Sequence, residues 1–313
     1  MQPAGAGQFG RCRLYRKVME LVSKARGSSA TRTPTGVFRR ARRTARNYVF
    51  DTITKHALFH VLTRHVPPEQ RFWQSILELG ILNYQSDTIS GERNFVEKYL
   101  ATRPGAVVVD VGANIGNYSC LVLEIAPTAT IHAFEPHPKI FQSLIQRNVP
   151  NLVPYQMALG AEPGPMTLFD YENADGSEHA SVYSEVFSRI YEKEAVSHQV
   201  VCETLDRIAE KLDLKVIDLL KIDVEGHELA VLRGAASLIE RGCIKAIQFE
   251  FNEMNVISRT FMRDYHDILK SYRFFRLLSD GAIDLSNYMA LFQEIFAYQN
   301  IVCIHQDVDF SFD

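Results

Sequence analysis

The chain is poor in cysteine and shows no pairing pattern for the few it has. Its five cysteines (Cys12, Cys120, Cys202, Cys243 and Cys303) are an odd number, and no two lie within five residues of each other. That spacing excludes a zinc site of the usual kind and a disulfide framework, and it points to a reduced, intracellular protein. Long apolar runs are missing too: none approaches the roughly 18 residues needed to span a bilayer. No apolar signal-peptide core stands near the start, so a cytoplasmic location is the expectation. Internal repeats and low-complexity tracts are also absent. Acidic residues are scarce in one place only. Residues 1–50 carry 12 of the 34 Lys and Arg against a single acid, Glu20, although the whole chain of 313 residues has a net charge of −3. A basic arm therefore precedes an acidic body.

What is present divides into three parts. Residues 1–47 read as a basic, mobile arm. Thr33-Pro34 has the form of a helix start, and Phe38, Ala41, Ala45 and Tyr48 recur at helical spacing among Arg39, Arg40, Arg42, Arg43 and Arg46. A solvated basic helix, a peripheral contact with an anionic membrane or glycolipid surface, and a mitochondrial-type targeting segment all fit it. Nucleic-acid binding does not, because the charge lacks interleaved aromatics and a reading motif. Residues 48–104 read as a helical cap, in which Ser90 is placed to cap the helix carrying Phe95, Val96, Tyr99 and Leu100.

From residue 105 to 313 short β-rich runs alternate with helical stretches. The strands are expected at 107–111, 130–134, 152–157, 216–222, 244–251, 273–278 and 295–304. The helices are expected at 116–126, 137–148, 204–212, 226–240 and 259–271. Alternation of this kind, with strands apolar on both faces, predicts a parallel sheet covered on both sides. The last strand follows its predecessor with no intervening helix, so it should run antiparallel. Residues 170–198 break the rhythm and read as a lid or insertion beside a ligand site.

The first strand ends in Asp110-Val111-Gly112-Ala113-Asn114-Ile115-Gly116, followed by a helix beginning near Asn117. Glycines allow close backbone approach to a ligand, and the helix start offers free N–H groups. The second strand ends in Glu135, whose carboxylate can accept both hydroxyls of a ribose. A dinucleotide, S-adenosylmethionine, or no ligand at all are the readings open here. The glycines run G-x-x-x-G rather than G-x-G-x-x-G. Asp110 would repel a pyrophosphate but suit a ligand bearing an ammonium and a sulfonium, which favours S-adenosylmethionine.

A second cluster follows the fourth strand in "LLKIDVEGHE", where Asp223 and Glu225 stand at the carboxyl edge. The next strand ends in "QFEFNE", with Glu250 and Asn252 spaced to share a side. Asp223, Glu250 and Asn252 could line a polar floor that bonds substrate; a divalent cation held by their oxygens is the less favoured reading. His227 beside these acids is a candidate base, against the alternative of a solvent-facing helix residue. His132 reads as a packed strand histidine, and His179, in the insertion, as a possible substrate contact.

Taken together, "VVVDVGANIGNYS", "IHAFEPHP", "LLKIDVEGHELAVLRGA" and "IQFEFNEMNV", in this order, resemble the FkbM family of S-adenosylmethionine-dependent methyltransferases. The likeness covers about residues 80–304 and includes "ILNY", Ser90-Gly91-Glu92 and Thr204–Asp206. It implies an α/β class I methyltransferase fold, Rossmann-like, with a seven-stranded, mostly parallel sheet, a reversed last strand and helices on both faces. It also implies O-methylation of a sugar, glycan or similar natural product. On the resemblance, the Gly112–Gly116 turn with Asp110, Asn114 and Asn117 holds the methionine end. Glu135 holds the ribose, and Ala158 and Leu159 lie near the adenine. Asp223 and Glu225 face the reacting centre, and Glu92 closes the site. Asp223 is the first choice as proton acceptor, with His227 and His179 behind it. An NAD-dependent oxidoreductase and a non-catalytic scaffold docking through the basic arm are the rival readings. The acceptor is expected to be an anionic or lipid-linked glycan or a small molecule, and no nucleic-acid partner is expected.

Overall fold

A computed structural model describes residues 75–171, 180–186, 188 and 195–312. The basic arm, residues 48–74 of the expected cap, and His179 lie outside the described residues. The first described elements are two short helices, α1 (Asp87–Ser90) and α2 (Glu92–Leu100). Ser90 closes the first rather than capping the second. Gly91, at φ +85°, is the N-cap of α2, and the Ser90 hydroxyl donates to the Glu92 carboxylate at 2.9 Å. Phe95, Val96, Tyr99 and Leu100 form the buried face of α2, as their spacing predicts.

The alternating part unfolds as β1 (Val107–Val111), α3 (Asn117–Ile125), β2 (Thr130–Phe134), α4 (Pro138–Gln146) and β3 (Leu152–Tyr155). A second sheet follows, built from β4 (Ala158–Leu159), β5 (Gly164–Tyr171) and β6 (Ala195–Glu203). The main sheet resumes with α5 (Leu205–Lys211), β7 (Ile217–Ile222), α6 (Glu228–Arg233), α7 (Ala236–Glu240) and β8 (Ile244–Phe251). The remainder is α8 (Met254–Ser258), α9 (Met262–Ile268), β9 (Tyr272–Leu277), β10 (Ala282–Asp284), α10 (Ala290–Gln293) and β11 (Gln299–His305).

The main sheet has the order β10-β9-β11-β8-β7-β1-β2-β3. β3, β2, β1, β7 and β8 are mutually parallel, and β11 enters antiparallel between β8 and β9. The fold is therefore the class I methyltransferase arrangement with its reversed strand. The eighth strand, β10, adds a three-residue hairpin partner at the β9 edge. Alternate residues of the central strands feed two cores. Val109, Val111, Leu220, Ile222, Ile247 and Phe249 pack on one face, and Val108, Leu219, Ala246, Ile131 and Val302 on the other. Both faces are thus covered, as doubly apolar strands require.

Two expected helices change. The helix expected over 226–240 is two helices broken at Gly234-Ala235. A Cβ on Gly234 would stand 2.0 Å from the Gly160 carbonyl oxygen, and the Asp206 carboxylate takes the N–H groups of Ser237 and Leu238, each at 2.9 Å, to start the second. The helix expected over 259–271 begins at Met262, after a separate turn of helix over 254–258. The stretch over 170–198 is flanked by an antiparallel pair, β5 and β6, which runs from Gly164↔Cys202 to Tyr171↔Ala195; residues 172–179, 187 and 189–194 lie outside the described residues. No helix among the described residues is long and apolar enough to cross a membrane.

Candidate active site

In a parallel sheet the strands end together, and here they end in acids and glycines. A cavity of about 430 Å³ opens at that edge, lined from β1, β2, β7, β8, α2 and the second sheet. That volume lies in the range of small-ligand sites.

Gly112 sits at φ +78°, where a side chain is strained. An added Cβ would stand 1.8 Å from the Asp223 carbonyl oxygen. The glycine is therefore required by the approach of the β1 end to the β7 end, and it also stands in the wall of the cavity. Gly112→Ala is expected to destabilise the fold by about 3 kcal/mol through backbone strain and the clash. Differential scanning calorimetry should show this as a drop of roughly 6–12 °C in Tm. Gly116, at φ +86°, is the N-cap of α3 and abuts Leu144.

Around this turn the polar groups are tightly assigned. The Glu135 carboxylate, buried at the end of β2, accepts the N–H of His137 at 2.7 Å and of Asn114 at 3.0 Å. Burial pushes its pKa up to about 7, against the pull of those two N–H groups. Asp110 is 1% exposed and accepts the Ser119 hydroxyl at 2.6 Å. Burial pushes it up to about 6, with Ser119 and Lys221 opposing. Asn114 and Asn117 both line the cavity, but their side-chain oxygens are taken. That of Asn114 accepts the Ile115 N–H, and that of Asn117 accepts Arg147. Ala158 and Leu159 supply an apolar wall with Phe134, Ile140 and Met157. His132 is a packed histidine, stacked on Tyr155 with its Nδ1 3.0 Å from the Tyr155 hydroxyl.

The second half of the cavity is organised by a residue that the sequence reading passed over. Lys221, 2% exposed and next to last in β7, places its Nζ 3.4 Å from Asp223, 3.7 Å from Glu92 and 4.0 Å from Glu250. Burial would lower its pKa, yet the three carboxylates outweigh that and hold it well above its ordinary value. Glu250 is pushed well up by burial and by Asp223, with Lys221 opposing. Glu92 is fixed by Gln248 Nε2 at 2.7 Å and by Ser90 at 2.9 Å. Gln248 in turn accepts the Tyr118 hydroxyl at 2.8 Å and donates to Asn300 at 3.1 Å. The one signal available was the lone cation inside the apolar run "LLKIDV".

Of the other expected residues, His227 and Glu225 line the cavity and Asn252 does not. Asn252 is not part of the floor: its Oδ1 accepts the Met254 N–H and its own N–H donates to Asn255, both at 2.9 Å, so it shapes the entry to α8. The cation among the carboxylates is the chain's own ammonium. Among the described residues no three His, Cys, Asp or Glu side chains converge as metal ligands. His227 lines the cavity but is neither solvent-facing nor basic. Burial pushes its pKa down to about 4, its Nδ1 lies 3.4 Å from the Tyr183 hydroxyl, and its Nε2 has no hydrogen-bond partner. Glu225 also lines the cavity, at φ +50°.

The family model described as the methyltransferase FkbM domain matches residues 110–275. Methyltransferase 1 of Beauveria bassiana is 31% identical over 161 residues, which cover 45% of this chain and 64% of that protein. The 31-O-demethyl-FK506 methyltransferase FkbM of Streptomyces tacrolimicus is 30% identical over 169 residues, 46% of this chain and 64% of that one. Hexuronic acid methyltransferase AglP of Haloferax volcanii is 27% identical over 139 residues, 43% and 52% respectively. The chain thus spans less than two thirds of the length of these relatives.

Proposed function

The chain belongs to the FkbM methyltransferase family, and on that premise we propose that it moves a methyl group from S-adenosylmethionine to a hydroxyl oxygen of a sugar, glycan or similar natural product. The observation that carries this reading is the pairing of a buried Glu135 and a buried Asp110 on either side of the Gly112–Gly116 turn, in the wall of one cavity. A diphosphate placed there would meet two carboxylates; an adenosyl sulfonium, cationic and phosphate-free, meets complementary charge. Glu135 would hold the ribose, the Gly112–Gly116 turn and Asp110 the methionine end, and Ala158 and Leu159 the adenine face. When bound, this cofactor supplies an electrophilic methyl carbon.

The chain's own share of the work is alignment and proton handling. Holding an acceptor oxygen in line is worth about 7–11 kcal/mol when the geometry is good. Asp223, at the β7 end with Lys221 beside it, is the carboxylate placed to take the hydroxyl's proton. His227, with its pKa near 4, is a weak base for that task. Lys221 stays an ammonium and so serves as a donor, not as the base. Support for the acceptor class comes from two relatives, one named for a hexuronic acid and one for the 31-O position of FK506.

The test is to incubate the full chain with methyl-labelled S-adenosylmethionine and separate glycan and small-molecule extracts. Label in a hydroxyl-bearing product supports the reading. Calorimetry that shows no uptake of S-adenosylmethionine, together with fluorescence quenching by NADH, would replace it with the dinucleotide reading.

A further inference from the structure

The turn after β7 presents Asp223 and Glu225 to the cavity, and its backbone is unusual. Glu225 at φ +50° and Gly226 at φ +99° are left-handed in succession, a conformation that only the glycine adopts without strain. A turn of this kind directs alternate N–H groups into one concavity, which is a ready site for an anion. The concavity is filled from within the chain. Glu228 Oε1 accepts the N–H of Gly226 at 3.0 Å and of Val224 at 3.3 Å.

Glu228 is 2% exposed, and its Oε2 is buried without a hydrogen-bond partner. A carboxylate sunk this deeply with one oxygen unused is unfavourable on its own account. Burial pushes its pKa up to about 7. Space filling would be served better by an apolar side chain, so the position calls for an acceptor. The neighbouring fixings take other atoms: Asp223 N–H donates to the Val111 carbonyl, and the Ser181 hydroxyl donates to the Glu225 carbonyl, each at 2.9 Å. The Val224 and Gly226 amides are left to Glu228.

We propose that Glu228 is a positioning residue for methyl transfer: by taking the amides of Val224 and Gly226 it holds the turn that aims Asp223 and Glu225 at the acceptor. This rests on the methyl-transfer reading above, which gives those two carboxylates their task.

Glu228→Gln and Glu228→Met, made in the full chain, separate the roles. Both fill the space, but only the amide offers an oxygen to the turn. Hydrogen exchange over the peptide 220–230, read by mass spectrometry, is expected to quicken at least about tenfold in the Met variant and to stay within about threefold in the Gln variant. Affinity for S-adenosylhomocysteine should stay within about threefold in both, while labelled transfer falls at least about 30-fold in the Met variant alone. Equal exchange in the two variants, or equal transfer, overturns the proposal. If the Met variant does not fold, Glu228→Ala with and without formate replaces it. Formate entering the vacated concavity should restore protection, and no restoration overturns the proposal. Failure of the wild-type chain to bind S-adenosylhomocysteine sinks the methyl-transfer reading instead, and the exchange comparison still decides what Glu228 holds.

Discussion

Asp223→Asn is expected to lower turnover by ~10²–10⁴-fold, the usual contribution of a placed general base, while affinity for S-adenosylmethionine stays within about threefold. The amide has the shape of the carboxylate it replaces, so the β7 end should keep its place against Gly112. What is lost is the group able to take a proton from the acceptor hydroxyl as the new C–O bond forms. Lys221 would still face Glu92 at 3.7 Å and Glu250 at 4.0 Å, so its charge remains answered. Single-turnover label transfer set beside calorimetry checks both halves. Turnover that survives intact would remove Asp223 from the chemistry and pass the role to Glu225 or Glu250.

Glu135→Ala is expected to weaken S-adenosylmethionine binding by ~10²–10⁴-fold, since two hydrogen bonds to a charged group are lost at about 1.5–3 kcal/mol each and each 1.4 kcal/mol is tenfold. The backbone N–H groups of Asn114 and His137 would also lose their acceptor. The same residue sets a pH dependence. The Glu135 pKa is about 7 in the folded chain against an ordinary 4.5. The free protein therefore binds more protons than the unfolded chain between those values, and its stability from this group is lost as pH rises through 7. Ribose hydroxyls donate to the ionised form, so binding releases the proton and tightens with pH. The rise in Tm caused by S-adenosylhomocysteine should therefore be larger at pH 8 than at pH 5.5, and Glu135→Gln should flatten that difference. A shift independent of pH in the wild type would show that Glu135 does not titrate on binding.

Much of this frame was legible in the residues. The strands over 107–111, 130–134 and 244–251 stand where their apolar runs put them, because a strand buried on both faces needs uninterrupted apolar residues and a turn at each end. β5 and β6 were not legible, because "GPMTLFDY" and "AVSHQVVCE" mix polar and apolar residues and are held by local pairing. Asp170 in β5 is buried against His137, with 3.6 Å between them, a contact that no spacing announces. At the site, Asp110, Glu135 and Asp223 followed from their positions at strand ends. Lys221 did not, because its partners Glu92 and Glu250 come from a helix before the first strand and from the neighbouring strand. Asn252 went astray because its orientation is settled by the reciprocal bonds with Asn255 and Met254, which periodicity does not describe.

The place of β11 bears on how the chain is made. β8 and β9 are neighbours in sequence but not in space, and β11 is the strand that joins them. While a ribosome is still translating residues before Gln299, the β8 backbone from Ala246 to Phe251 has no partner on that side, and the β9–β10 hairpin has no sheet to join. The nascent chain must carry an open, apolar strand edge, the kind of surface that chaperones shield and that aggregates when left bare, until His305 has emerged.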